Sequence, residues 1–448
     1  MSDSDVYLWL VYAAPAITII IWIKYKRRKQ DRLAITTIAE NTEAGMTEPA
    51  SLHPVIDLSR CVGSGACVSA CPEKEVIAII DNKAHLVNPT SCIGHGACAA
   101  ACAHDAITLV FGTQTRGVDI PQVSPNFETN VAGIYIAGEL GGMGLVRNAS
   151  LQGQEAINDI AKRKKSQKSN DKNSNDMNSN DVVHDVIIIG AGPAGISASL
   201  AAKSHQLSYL TLEQESMGGT IAHFPRNKVV MTSPVNLPIV GKVKFTQVKK
   251  EALIEFWEKV IKEQDLAIKT NQFVEDIINH NDFFEVKTST NTFKARNVLL
   301  AIGRRGTPRK LEVPGEELSK VVYLLKDPEQ YINQKVIVVG GGDSAVEAAM
   351  SIAERPGTEV ILSYRGKAFS RIKPANRKKL EKIKELPNFQ LLLNSNVLKI
   401  TESTVVIDCD GKQMIQPNDA IIISAGGILP TGFLQRIGIE IETKYGTA

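Results

Sequence analysis

Hydrophobic positions in this chain fall into a few unbroken runs separated by polar and glycine-rich stretches. Val6–Ile23 carries no charge and is rich in Ile, Val, Trp and Tyr. As a helix this stretch would span roughly 27 Å, close to the thickness of a hydrocarbon core. Asp3 and Asp5 precede it, and Lys24, Lys26, Arg27, Arg28 and Lys29 follow at once. That asymmetry predicts a single-pass helix in a bacterial inner membrane, with everything downstream cytoplasmic. A cleaved leader would carry its charges first. The run after Asp185 is β-branched, the mark of a strand buried on both faces, and a similar run follows Lys335. Phe245–Gln264 reads as an amphipathic helix, whereas Lys162–Asp181 has no apolar periodicity and predicts a flexible linker.

Both β-branched runs lead into glycines and then a helical stretch. Asp185-Val-Ile-Ile-Ile-Gly-Ala-Gly-Pro-Ala-Gly195 has G-x-G-x-x-G spacing. Gly190 permits the tight turn and Gly192 lets the backbone approach a pyrophosphate. Gly195 lets the helix pack on the strand, with its N-terminus toward the phosphate charge. Tyr209-Leu-Thr-Leu ends at Glu213, roughly 20 residues on, where a carboxylate would bind ribose hydroxyls. The second unit, Lys335–Ala345, reads G-x-G-x-x-A through Gly340, Gly342 and Ala345, with Ser344 beside them. Its partner run Glu359–Arg365 ends without a carboxylate. Arg365 and Arg371 occupy the region of a 2′-phosphate, so NADPH is expected ahead of NADH.

Cysteine usage adds a different chemistry. Six of the seven cysteines lie between Cys61 and Cys102, a crowding that reads as metal ligation rather than disulfides beside a dinucleotide fold. Cys61-x2-Ser64-x2-Cys67-x3-Cys71-Pro72 is repeated as Cys92-x2-His95-x2-Cys98-x3-Cys102. This resembles the doubled C-x2-C-x2-C-x3-C-P run of bacterial two-cluster ferredoxins, with Ser64 and His95 in place of a cysteine. The resemblance implies one iron–sulfur cluster on Cys61, Cys67 and Cys102, and another on Cys92, Cys98 and Cys71. His95 suits the second, because imidazole also binds iron. The clusters are expected to be 4Fe-4S, with a three-iron or labile form beside Ser64. A net charge of +3 and 5% aromatics argue against a nucleic-acid groove.

Thr129-Asn-Val-Ala-Gly-Ile-Tyr-Ile-Ala-Gly-Glu139 resembles the second flavin motif of the flavoprotein disulfide reductases, T-x-x-x-G-(apolar)-A-G-D. There the glycine and carboxylate, here Gly138 and Glu139, hold the ribitol chain. Gly218-Gly219, the turn Ala301–Pro308 with Gly303, and Asp419–Pro430 match further segments of that family. From about Phe111 onward, less the linker, the chain resembles thioredoxin-reductase-like members of the pyridine nucleotide-disulfide oxidoreductases. In that family the second flavin motif follows the nicotinamide domain. Here it precedes the first glycine motif, and Phe433–Ala448 ends where a relative would continue into it. The resemblance implies a circularly permuted flavin domain, completed within the chain or by a neighbour.

The expected fold is α/β: two Rossmann-like three-layer domains for FAD and NAD(P), a small α+β ferredoxin-like domain and one N-terminal transmembrane helix. Expected boundaries are 1–30 for the anchor, 53–110 for the ferredoxin, 111–161 for the displaced flavin segment and 162–181 for the linker. Next come 182–303 for the FAD domain, 304–424 for the NAD(P) domain and 425–448 for the return segment. The redox cysteine pair of the family is missing, because Cys409 stands alone after Cys102. The expected activity is therefore electron transfer from NAD(P)H through flavin to the clusters, then to an unknown protein or quinone. No side chain need act as acid or base. The alternatives are reverse flow to NADP⁺, a flavin monooxygenase-like reaction or a non-enzymatic redox sensor, in a chain that could pair as a homodimer.

Overall fold

Val186–Ile189 is unbroken in its apolar sequence because it lies in the middle of a five-stranded parallel sheet. The computed structural model describes residues 3–49, 52–142, 145–170, 182–304 and 306–446, with side chains from 3–11, 167–170 and 231 excepted. The sheet runs Ile268–Lys269, Tyr209–Leu212, Val186–Ile189, Val298–Leu300, Ile134–Ile136. Every pair is parallel, and Val298, Leu299 and Leu300 stand opposite Ile134, Tyr135 and Ile136. The last strand thus comes from the segment that precedes the glycine motif. That segment makes a second join, since Val118–Pro121 pairs antiparallel with the C-terminal strand Ile441–Lys444.

Helices Val146–Asn170 and Pro193–Ser204 cover one face, where Tyr135, Ile157, Ile160, Val186, Ile188 and Leu299 are buried together. The other face packs Ile134, Ile187 and Leu212 against Phe284 and Val286 of a four-stranded sheet. A second parallel sheet follows the order Val321–Val322, Ala420–Ile423, Lys335–Val339, Glu359–Ser363, Phe389–Leu392. Helix Asp343–Ala353 packs on it. Both sheets belong to one compact unit, Phe111–Lys367 with Ala375–Thr447.

The other unit is Met1–Val110 with Ala368–Pro374. Strands His53–Ile56 and Ile107–Val110 pair antiparallel, Ile77–Ile80 and Lys83–Leu86 form a hairpin, and two short helices begin at Ala66 and Ala97. Its first helix runs Asp3–Glu43, well past the expected boundary at residue 30. Packing explains the extension. Ala34 and Ile38 meet Ile80 and Val87, and Asn41 Nδ2 donates to Val87 O at 2.9 Å and Asn88 Oδ1 at 2.6 Å.

Among the described residues no helix is long and apolar enough to cross a membrane. The expected span Val6–Ile23 lies partly outside them, because its side chains before Tyr12 are excepted. Tyr12–Ile23 alone covers only about 18 Å. The linker boundary also shifts, because helix Val146–Asn170 continues through the basic run. Arg163 pairs with Glu128 at 2.6 Å and with Asp159 one turn back at 2.8 Å, and Lys164 pairs with Asp185. These pairs tie the helix to its own domain. The rest of the linker, 171–181, lies outside the described residues.

Candidate functional site

Gly190 has φ +106°, and a Cβ there would stand 2.5 Å from the Ala301 carbonyl oxygen. Gly195 is tighter still, its Cβ position being 1.8 Å from Gly190 O. Only glycines let the chain turn between strand and helix this closely. Gly192 is the N-cap of helix Pro193–Ser204, and no side chain caps that N-terminus. Glu213, only 6% exposed, ends the neighbouring strand and reaches back to the loop. Ala191 N–H donates to its Oε2 at 2.7 Å and Glu215 N–H to its Oε1 at 3.1 Å. Gly218 N–H donates to Ala191 O at 2.9 Å, and Gly219 approaches until its Cβ would lie 3.1 Å from Gly192 Cα. Gly303, at φ +65°, faces this second loop at Thr220. A buried carboxylate, two glycine backbones and an uncapped helix end therefore converge, as a dinucleotide requires.

Gly138 and Glu139 come to the same place. Gly138 sits against Ala194, where its Cβ would be 3.3 Å from the alanine Cβ, and its N–H donates to Gln152 Oε1 at 2.8 Å. Gln154 Nε2 bonds Ser197 Oγ at 3.0 Å and Asn236 O at 3.0 Å, tying helix Val146–Asn170 to the first glycine-motif helix and beyond. Burial holds the Glu139 carboxyl above the usual carboxylate range, and the Arg304 guanidinium opposes that rise. Burial likewise lowers Arg304, against the pull of Glu139 and Asp119. Arg304 Nη2 donates to Asp119 O at 3.2 Å. The sequence marks Arg304 only as a spacer in a turn, so its role opposite Glu139 had no signal there.

At the second glycine motif Gly340 has φ +147°, and a Cβ there would be 2.3 Å from Ser424 O. Gly342 caps helix Asp343–Ala353 without side-chain help and has open space where a Cβ would stand. Ser344 is exposed and Ala345 is buried under the turn. Asn376, predicted by nothing in the sequence, donates to Asp343 Oδ1 at 2.7 Å and Glu347 Oε1 at 3.1 Å. The Tyr364 ring fills the space beside Gly341, where a Cβ would come within 2.1 Å of it. Arg365 is exposed just beyond strand Glu359–Ser363, and Arg371 is exposed in the 368–374 segment of the smaller unit.

In the smaller unit the six cysteine thiols are all free. Burial pushes Cys67 up, and Cys61 and Cys102 add to the rise; burial pushes Cys98 up to about 11, with Cys92 and Cys71 adding. Cys67 also acts on Cys71, so these couplings link both runs of the doubled motif. Cys61, Cys67 and Cys102 line one pocket together with Ser64 and His104. Among the described residues no three donors converge on a point suited to a single metal ion. A cluster asks for something else, because each of its ligands meets a different iron.

Residues 187–447 match the family model for pyridine nucleotide-disulphide oxidoreductases, and residues 53–103 match that for the 4Fe-4S dicluster domain. The chain is 29% identical over 266 residues to bacilliredoxin reductase Bdr of Bacillus subtilis, covering 58% of this chain and 82% of that protein. It is 27% identical over 271 residues to ferredoxin–NADP reductase of Ignicoccus hospitalis, covering 58% and 83%. Among solved structures, bacillithiol disulfide reductase Bdr of Staphylococcus aureus superposes with a TM-score of 0.52 at 27% identity, over 58% of this chain and 81% of that one.

Proposed function

Because the chain belongs to the pyridine nucleotide-disulphide oxidoreductase family, we propose that it is an FAD-dependent NAD(P)H oxidoreductase that delivers electrons to iron–sulfur clusters of its own 53–110 segment. From there they would pass to an external protein or quinone. Sulfur supply carries this reading. A disulfide reductase needs an attacking thiolate and a partner sulfur, yet only Cys409 follows Cys102. Cys409 sits in a strand of a three-stranded sheet with its Sγ directed to Leu393 O at 3.4 Å. Six thiols sit together in the ferredoxin-like segment instead.

The residues divide the work. Glu213 would hold the ribose of FAD, the loops at Gly190–Gly195 and Gly218–Gly219 its pyrophosphate, and Gly138–Glu139 its ribitol. Arg304 opposes the rise that burial imposes on the Glu139 carboxyl. Gly340, Gly342 and Ala345 would seat the nicotinamide dinucleotide, with Arg365 favouring a 2′-phosphate. Bound flavin supplies the exchange between two-electron hydride chemistry and the single electrons that clusters carry.

Membrane attachment on the cytoplasmic side is part of the proposal. Tyr12 is 71% exposed and Trp22 61%, with Ile17, Ile19, Ile20 and Ile21 also exposed between them. An apolar collar of this kind followed at once by a basic run suits a lipid-embedded helix. The activity test uses purified full-length protein with NADPH. Rapid ferricyanide reduction and no turnover of a small disulfide are expected; disulfide turnover would overturn the assignment.

A further inference from the structure

The two halves of the cysteine repeat share a backbone but not a fourth ligand. Gly63 and Gly65 flank Ser64 at φ +71° and +75°, and Gly94 and Gly96 flank His95 at +74° and +76°. Each second glycine opens a short helix carrying the next cysteine, at Ala66–Ala70 and Ala97–Ala100. Ser64 and His95 therefore occupy equivalent slots, where the motif asks for a thiolate. Their side chains are placed differently. Ser64 is exposed, and its Oγ accepts from Ala66 N–H at 3.4 Å, within its own turn. His95 Nε2 is buried with no hydrogen-bond partner among the described residues. A buried, unpaired ring nitrogen is costly unless something binds it. His95 lies in the turn between Cys92 and the short helix that carries Cys98.

Resting on the two-cluster reading above, we propose that His95 Nε2 is the fourth ligand of the cluster held by Cys71, Cys92 and Cys98, while Ser64 leaves the other cluster with three protein ligands. The two centres then differ in kind. A neutral imidazole in place of a thiolate raises a cluster's potential above that of its all-cysteine counterpart. The Ser64 side has a corner whose iron is removable.

The test takes the full chain reconstituted anaerobically with iron and sulfide, and reads iron content, potential and pulsed electron paramagnetic resonance. Isotope-labelled histidine identifies nitrogen coupling from an imidazole. Wild type should show that coupling in its reduced state. His95→Cys should lose it, keep its iron and shift that cluster to lower potential. His95→Ala should lose about one iron per chain, and Ser64→Cys should gain about one. Absence of histidine coupling in the iron-loaded wild type, or its survival in His95→Cys, overturns the ligand assignment alone. Unchanged iron in Ser64→Cys overturns the three-ligand corner. Failure of the chain to take up any iron overturns the proposed function itself.

Discussion

Gly153 lies so near Ala194 that a Cβ on the glycine would stand 2.2 Å from the alanine carbonyl oxygen. Gly153 belongs to the helix that follows Glu139, and Ala194 to the first turn of the glycine-motif helix, more than forty residues later. The contact joins the displaced segment to the candidate flavin site without room for a methyl group. Gly153→Val should cost about 1–3 kcal/mol of stability through overpacking, and it should lower flavin content. Thermal unfolding together with visible absorbance per chain measures both. Unchanged flavin at unchanged stability would mean that the two helices need not meet.

Glu213 offers a second point of control. Its carboxylate accepts from Ala191 N–H inside the glycine turn. Glu213→Ala strands that buried donor, a loss of about 1–3 kcal/mol. It also removes the proposed ribose acceptor, so the variant should purify largely without flavin. Glu213→Gln keeps an acceptor and should fall between the two. Fluorescence of flavin released on denaturation ranks the three.

Glu139 and Arg304 set a pH dependence. Burial raises the folded-state pKa of Glu139 above its ordinary 4.5, and Arg304 opposes the rise. A carboxyl raised on folding binds its proton more tightly in the native state. Its contribution is thus most favourable below the ordinary value and is lost as pH rises toward the folded value. Removing the opposing charge in Arg304→Met widens that window upward. Stability of the variant should fall more steeply than wild type as pH climbs above the ordinary carboxylate value, and adding Glu139→Gln should remove the difference. Melting temperature against pH, in protein stripped of flavin, reads the slope.

The proposed 2′-phosphate assignment rests on Arg365. Arg365→Ala should raise KM for NADPH about tenfold, the worth of one charge-assisted hydrogen bond, and leave KM for NADH nearly unchanged. Steady-state ferricyanide reduction with each nucleotide gives the ratio. Equal losses would remove the 2′-phosphate assignment.

What could be read from the chain followed from chemistry that is local in sequence. The β-branched runs, the glycine spacing and the doubled cysteine motif each name their element, because turn sterics and ligand geometry act over a few residues. The pairing of Ile134–Ile136 with Val298–Leu300 was approachable only through the family resemblance, since register between distant strands leaves no local trace. Arg304 opposite Glu139, Asn376 between Asp343 and Glu347, and Tyr364 against Gly341 were not legible, being products of packing. The Lys162–Lys168 run misled for a related reason. It read as the start of a flexible linker, but Arg163 and Lys164 find Glu128 and Asp185 only after the chain has folded.

Electron flow from nicotinamide to iron is the central claim. Its most direct measurement is an anaerobic NADPH titration of the full-length, cofactor-loaded protein, followed by visible absorbance and electron paramagnetic resonance. Bleaching of the flavin band together with the appearance of reduced-cluster signals is the predicted result. Flavin that bleaches fully while the clusters stay oxidised at every potential tested would contradict it.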